Sequence, residues 1–417
     1  MEDVPIEFVT GLVCVMCGAE YPARGKHAPL TCPRCGITGI LDVRYDYRAV
    51  ARRLTRAALA RRTERSHWRY RELLPIGARA RLPDIPVGWS PIVPAPKLAR
   101  HIGVRSLLLK DDGRNPSASL KDRASSVGVV KALEARRDTI SCASTGNAAS
   151  SLACMAAVLG LEAVIFVPER APEPKLAQLL TFGATVLRVL GSYDEAWNLC
   201  QRSCEKWGWY NRNAAVNPYL VEGKKTVGLE ICEQLEWRVP EWVAVSVGDG
   251  CTLAGTWKGF REMREIGLIR RVPKILGVQA AGAAPVTEAF HSGAGLRPVE
   301  PRTFADSIAV GVPRNWKKAV DAVRESGGTM LNVEDAEIRE AMLATGRLAG
   351  VFAEPAAATS VAGLARAVKE GIVPRRARAL AVITGNGLKD TRAALEAAPR
   401  PLDVPPDLAA VEAALAR

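Results

Sequence analysis

Apolar residues along this chain fall into short runs separated by longer stretches with helical spacing. Residues 163–167, 185–190, 243–247, 274–279 and 379–384 predict strands, and residues 175–182, 194–206 and 226–235 predict helices between them. The strand runs carry little polar alternation, as expected of strands covered on both faces. The expected fold class is therefore α/β, with a parallel sheet under helices. The most apolar stretch, residues 151–167, is broken by Gly160 and Glu162. It suits a buried helix followed by a strand better than a membrane span. Ahead of this body the pattern changes, and prolines at 83, 86 and 91 mark a loop or linker.

A chain of 417 residues with 48% hydrophobic residues can bury a large core and hold two or more domains. Met1-Glu2-Asp3-Val4-Pro5 has neither a basic n-region nor an apolar h-region, so a cytoplasmic protein is expected. The net charge of +13 is unevenly spread: between Arg44 and Arg81, twelve arginines face three acids, Asp46, Glu64 and Glu72. Such a segment suits a nucleic-acid module. Yet His67, Trp68 and Tyr70 are bunched, without the repeated basic–aromatic interleaving of a base-stacking surface. The simpler reading is a solvated helix whose arginine stems lie along the body.

Four of the ten cysteines change the picture. Cys14, Cys17, Cys32 and Cys35 form C-x2-C-x14-C-x2-C, with Gly18 and Gly36 after the pairs. Two such knuckles place four thiolates around Zn²⁺ in a closed structural site. Iron accepts the same ligand set, and disulfides are the remaining alternative. The other cysteines stand in apolar or helical contexts and are expected as small buried hydrophobes.

Four further stretches carry candidate chemistry. Leu107-Leu108-Leu109 runs into a turn, and Asn115-Pro116-Ser117-Ala118-Ser119 leads to a helix expected near Leu120, with Ser117 or Ser119 as its cap. Lys121 then stands at a helix start among small neutral residues, where poor hydration lowers its pKa and makes it a candidate imine-forming nucleophile and base. An ordinary solvated lysine is the alternative on those residues alone. Ser144-Thr145-Gly146-Asn147-Ala148, after a strand, offers backbone N–H donors suited to a carboxylate, and Asn147 an amide for an aromatic hydroxyl. Gly248-Asp249-Gly250-Cys251-Thr252 opens backbone amides to a phosphate, with spacing that fits neither a dinucleotide fingerprint nor a P-loop. Thr384, closing the last strand, offers a hydroxyl to a neutral ring nitrogen. Together these four point to pyridoxal 5′-phosphate.

The order Pro-Ser-x-Ser-x-Lys-Asp-Arg, Ser-Thr-Gly-Asn, Val-Gly-Asp-Gly and Thr-Gly-Asn-Gly-Leu-Lys-Asp resembles fold-type II pyridoxal-phosphate enzymes, threonine synthases in particular. Asn217-Pro218-Tyr219, Glu222-Gly223-Lys224-Lys225-Thr226, Gly277-Val278-Gln279-Ala280 and Glu354-Pro355-Ala356 add to the likeness, which runs from about Pro91 to Asp390. The Cys knuckles also look like the short ribbon of many threonine-synthase-like proteins. This resemblance implies a tryptophan-synthase-β-like fold of two intertwined α/β domains plus a small zinc ribbon. The implied division is a ribbon at 1–48, an Arg-rich helical segment and linker at 49–90, a large cofactor domain at 91–130 and 216–417, and a small mobile domain at 131–215. It implies that Lys121 carries the cofactor as an imine, that Asn147 bonds the pyridoxal oxygen, and that Gly248, Asp249, Gly250, Cys251 and Thr252 hold its phosphate. Thr384 would meet the ring nitrogen, and Ser144, Thr145, Gly146, Ala148 and Lys175 would bind substrate. A homodimer acting on a small amino acid, as a lyase making threonine from O-phosphohomoserine, completes the expectation.

The match departs from the family where substrate is chosen. Threonine synthases usually read Asn-Ser-x-Asn-Pro-Tyr/His-Arg, whose first Asn and Arg bind substrate phosphate; this chain has Ala214 and Leu220 at those places, and Asp249 stands where an amide is usual. Arg212 or Arg314, with Lys175, are candidate replacements. Two alternatives follow. One is a related enzyme performing β-elimination or β-replacement on serine, threonine or a substituted alanine. The other, a zinc-ribbon nucleic-acid binder, leaves Lys121 and the three loops without a purpose.

Overall fold

The computed structural model describes residues 7–23, 28–171 and 173–416, with side chains for all of these except 173–175. An antiparallel ribbon comes first, with β1 (Val9–Cys14) between β2 (Glu20–Tyr21) and β3 (Leu41–Tyr45). Next, β4 (Ile92–Pro94) and β5 (Ser106–Asp111) pair antiparallel at one edge of a six-stranded sheet. The chain then leaves to build a second sheet from β6 (Thr139–Ala143), β7 (Glu162–Pro168), β8 (Thr185–Val189) and β9 (Tyr210–Asn211). That sheet is parallel throughout, in the order β8-β7-β6-β9. The chain returns with β10 (Trp242–Ser246), β11 (Lys274–Ala280), β12 (Thr329–Val333) and β13 (Arg378–Ile383). The large sheet has the order β12-β11-β10-β13-β5-β4, with β4 its one antiparallel strand.

The two-residue period of each strand divides the core of the large sheet. Leu107, Leu109, Ala244, Leu276, Val278, Ala379 and Ala381 face a cluster with helix Pro355–Lys369. Val243, Val245, Ile275, Leu380 and Val382 face the other way, against helices Tyr219–Gln234, Cys251–Glu265 and Trp316–Glu325. Both faces are covered, which is why β10 is buried along its whole length. Predicted and observed strand limits differ by a residue or two. Helix Tyr219–Gln234 begins seven residues before the predicted one, because its first two turns are buried all round and show no polar face to mark them.

Helix Tyr219–Gln234 sits between helices Lys121–Glu134 and Cys251–Glu265. A Cβ on Gly223 would lie 1.9 Å from the Arg123 carbonyl oxygen, so only glycine allows the first approach. Lys224, in the second turn of that helix, and the first residues of the other two, Lys121 and Cys251, line one cavity.

In the arginine-rich segment the side chains lie along the body, as the simpler reading expects. Arg56 donates to the Leu268 carbonyl at 2.6 Å and stacks on Trp237; Arg62 pairs with Glu72. Arg69 pairs with Glu233 at 2.5 Å and lies over the Trp89 ring. Among the described residues, no helix is long and apolar enough to cross a membrane.

Candidate active site and cysteine cluster

After β5 the chain makes a short turn, Asp112–Arg114, and a loop that is clamped to the end of β13. The Leu120 amide donates to Thr384 O at 2.8 Å and the Asn386 amide to Ala118 O at 3.1 Å. Ala118 takes φ +62° in this loop, an uncommon conformation for a residue with a Cβ. Lys121 is the first residue of its helix. Ser119 Oγ accepts the Lys121 amide at 3.3 Å, whereas Ser117 is used otherwise: its hydroxyl and amide both donate to the buried Asp122 carboxylate. The clamp puts Thr384 in the same cavity as Lys121.

The opposite wall is the turn between β10 and helix Cys251–Glu265. Gly250 has φ +91°, and a Cβ there would lie 2.9 Å from Ala319 Cβ and from Asn315 O. Gly248, Asp249, Gly250, Cys251 and Thr252 all line the cavity. Asp249 is turned to structural work: its carboxylate accepts the Arg314 amide at 3.2 Å and its carbonyl the Asn315 amide at 3.1 Å. The first-turn N–H groups of the helix remain as donors for an anion.

Asn147 opens helix Asn147–Leu159 and is buried. Its Nδ2 donates to both oxygens of Glu354, at 2.9 and 3.0 Å. Glu354 lines the cavity at the start of helix Pro355–Lys369; burial raises its pKa, opposed by the Asn147 bond and the Lys121 charge. Burial lowers the Lys121 pKa to about 8; the Lys224 and Arg212 charges push the same way and Glu354 opposes them. With a pKa near 8, about a tenth of this amine is neutral at pH 7, against less than about a thousandth at the ordinary lysine value, as suits an imine-forming amine.

Not every expected residue joins this cavity. Ser144, Thr145, Gly146 and Ala148 are half-buried in the turn before Asn147, and Ser144 Oγ accepts the Gly146 amide at 3.2 Å. None of them is in the cavity lining among the described residues. The side chain of Lys175 lies outside the described residues. Arg212 is fully buried behind Lys121, donating to Ser125 Oγ at 3.0 and 3.1 Å. Arg314 stacks on the Trp197 ring, 4.0 Å from its centroid. Ala214 lines the cavity, while Leu220 is wholly buried towards Gly128. Two residues given no role from sequence, Lys224 and Glu354, stand in the wall. Both lie in stretches that carried the family likeness, and a lysine inside an otherwise buried helix was the signal available for the first.

Beneath Lys121 lies a closed ionic network. Arg123 pairs with Asp112 at 2.6 Å and with Glu230 at 2.5 Å, and Lys110 pairs with Glu230 at 2.7 Å, all four side chains having no exposure. Burial alone would raise the Glu230 pKa; Arg123 and Lys110 overcome it and hold it at about 2.

The four ribbon cysteines come together, their sulfurs within 4.8 Å of one another. Cys14 and Cys35 Sγ are 4.0 Å apart, Cys17 and Cys32 Sγ 3.7 Å, close to the ~3.8 Å edge of a tetrahedron with 2.3 Å Zn–S bonds. Gly18 and Gly36, both at positive φ, close the knuckles. The ribbon also reaches the active site. Val15 and Ile40 pack with Ala214, Ala215, Val221 and Cys251. Asp42 binds Lys258 at 3.1 Å and Lys318 at 2.9 Å, beside the helix whose Ala319 abuts Gly250.

This sequence and this arrangement of sheets recur in known proteins. The family described as pyridoxal-phosphate dependent enzyme matches residues 84–385. Threonine synthase of Methanocaldococcus jannaschii is 38% identical over 398 residues, covering 95% of this chain and 96% of that protein. Its counterpart in Methanosarcina acetivorans is 39% identical over 409 residues, covering 97% and 98%. Threonine deaminase isoform 2 from Solanum lycopersicum has a TM-score of 0.65 at 24% identity, over 74% of this chain and 86% of that one. Maize serine racemase has a TM-score of 0.64 at 20% identity, over 74% and 90%. At these identities the structural likeness is one of fold. The chain therefore belongs to the fold-type II pyridoxal-phosphate-dependent lyases and, among them, to the threonine synthase family.

The residues present fit that cofactor. An amine of lowered pKa, a glycine turn at a helix N-terminus and Thr384 after the last strand line one cavity, and Gly250 takes φ +91°, which leaves the turn's backbone close to that cavity without a side chain.

Proposed function

We propose that this enzyme converts O-phosphohomoserine and water to threonine and phosphate. The observation that carries the reading is Lys121, whose amine is held near pKa 8 inside a cavity closed by the Gly250 turn. Pyridoxal phosphate, when bound, supplies an electron sink for charge developing at the substrate Cα. Lys121 would hold the cofactor, and its amine is the base placed to take the proton from the substrate Cα. The first-turn amides after Gly250 would receive the cofactor phosphate, and the Thr384 hydroxyl would meet the ring nitrogen. A neutral hydroxyl there, in place of a carboxylate, would limit carbanion build-up and favour elimination over racemisation. Asn147, fixed by Glu354, faces the cofactor hydroxyl, and the turn from Ser144 to Ala148 takes the substrate carboxylate. Closure of residues 131–215 over the body formed by 91–130 and 216–417 would bring that turn to the substrate; the Arg314–Trp197 stack spans the two parts.

The cysteine cluster is the site of one structural zinc, since four thiolates leave no position for water. The family resemblance supports a homodimer working in the cytoplasm.

A second reading, β-elimination on an unphosphorylated hydroxy-amino acid, is favoured by Ala214, which gives the wall a methyl group where the resembled sequences carry an amide. A single-turnover screen of O-phosphohomoserine, O-phosphoserine, serine and threonine, followed by cofactor absorbance, separates the two. Turnover of O-phosphohomoserine with release of phosphate and threonine is the expected result. Inertness to it, with reaction of serine or threonine, selects the second reading.

A further inference from the structure

Among the described residues, buried lysines are paired, with one exception in the cavity wall. Lys110 binds Glu230, Lys225 binds Glu222 and Glu262 at 2.5 and 2.8 Å, and Lys258 binds Glu222 and Asp42. Lys224 is 1% exposed and forms no ion pair among the described residues; it shares the cavity lining with Cys251. Nor does Arg212 form one, its guanidinium resting on Ser125. Lys121, Lys224 and Arg212 are close enough for each charge to disfavour another. Of the two carboxylates in the same lining, Glu354 is bound by Asn147 and Asp249 by the Arg314 amide; neither forms an ion pair with Lys224, whose ammonium is left to receive an anion.

The position of Lys224 gives that anion a place. Leu220 and Lys224 are four residues apart on helix Tyr219–Gln234, so they are neighbours on one face. The side of Leu220 is closed by helix Lys121–Glu134, whose Gly128 would place a Cβ 3.1 Å from Leu220 Cδ2. One turn further on, the face opens: Lys224 lines the cavity with Lys121, Ala214 and the Gly250 turn. Gly255 makes room for it, since a Cβ there would lie 3.0 Å from Lys224 Cβ.

We propose that Lys224 is the ligand of a phosphate dianion in this cavity, replacing by one helical turn a cation that position 220 no longer supplies. The proposal rests on the reaction assigned above for its preferred source, the substrate phosphate; the cofactor phosphate is the other source of the same chemistry. With the substrate phosphate Lys224 is a specificity-determining residue, and with the cofactor phosphate an anchoring one; in both it supplies a charge-assisted donor that Ala214 and Leu220 lack.

The test uses Lys224→Gln and Lys224→Arg holoenzymes. Inorganic phosphate is titrated calorimetrically, and cofactor retention is followed by absorbance during dialysis. In Lys224→Gln, phosphate binds roughly 10- to 100-fold more weakly with cofactor retained, and Lys224→Arg recovers most of the affinity. Release of the cofactor at least about tenfold more readily, with phosphate binding unchanged, assigns the dianion to the cofactor and also supports the site. Unchanged affinity for both ligands overturns the proposal. So does a Lys224→Gln apoprotein melting several degrees below wild type, which would make Lys224 structural. A wild type inert to O-phosphohomoserine, but with phosphate binding that depends on Lys224, would remove the assigned reaction and leave this inference standing.

Discussion

Two groups of buried charges lie within two residues of each other in sequence and obey opposite rules. Below the catalytic junction, Arg123, Asp112, Glu230 and Lys110 form a closed, charge-balanced network with every ion paired. Above it, Lys121 and Lys224 line the cavity and Arg212 lies behind it, none of them in an ion pair among the described residues. A balanced network needs nothing further and holds three segments of chain in register. The open one, whose carboxylates Glu354 and Asp249 are bound by Asn147 and the Arg314 amide, leaves its cations available to an anionic ligand. Folding and binding have divided the buried charge between them, and Lys121 and Arg123 show the division at a separation of two positions.

The largest effect should come from removing the reactive amine. Lys121→Ala is expected to lose turnover by several orders of magnitude while the apoprotein still folds, as measured by steady-state kinetics and circular dichroism. Near-normal activity would remove the assignment altogether. The same variant sharpens the comparison through pH. Because burial lowers the Lys121 pKa from 10.5 to about 8, the unfolded chain binds more protons in that window. Wild-type apoprotein should therefore gain stability as pH rises from about 8 to 10.5, relative to Lys121→Ala, in urea titrations.

Breaking the balanced network should reverse the pattern. Glu230→Gln leaves Arg123 and Lys110 buried and short of a counter-charge, and should destabilise the protein by about 3–5 kcal/mol in denaturant unfolding. Acid tests the same carboxylate more gently. Its contribution is complete above the unfolded value near 4.5 and is lost only as pH falls through about 2. Loss of the Glu230 effect already by pH 4 would contradict the pairing.

Smaller effects are expected at the ribbon, which touches the open cavity through Ile40 and Val15. Cys14→Ser, or removal of metal by a chelator, should lower the melting temperature by several degrees and change kcat by less than about tenfold. Metal analysis should find one zinc per chain. Smallest of all should be Asp42→Asn. It removes a carboxylate shared by Lys258 and Lys318, and should raise the KM for substrate a few-fold through the Gly250 turn, with kcat nearly unchanged. An equal fall in kcat would mean that Asp42 acts on the chemical step itself.

The sequence by itself determined the strand and helix alternation, the four-cysteine cluster and the stretches around Lys121 and Gly250. These features are local. A buried parallel strand needs a continuous apolar run, a knuckle needs two cysteines and a glycine, and a helix start needs its own few residues. Only the tertiary structure decided which distant residues meet. Glu354 grips Asn147 across 207 positions, and the Arg123–Glu230 pair joins residues 107 apart. Lys224 and Lys225 are adjacent in sequence, yet one is paired with two acids and the other faces the cavity. No local pattern separates them, because a buried lysine is defined by what packs against it. That was settled by Gly223 and Gly255, which let three helices approach closely enough to turn one lysine inward and leave the other among carboxylates.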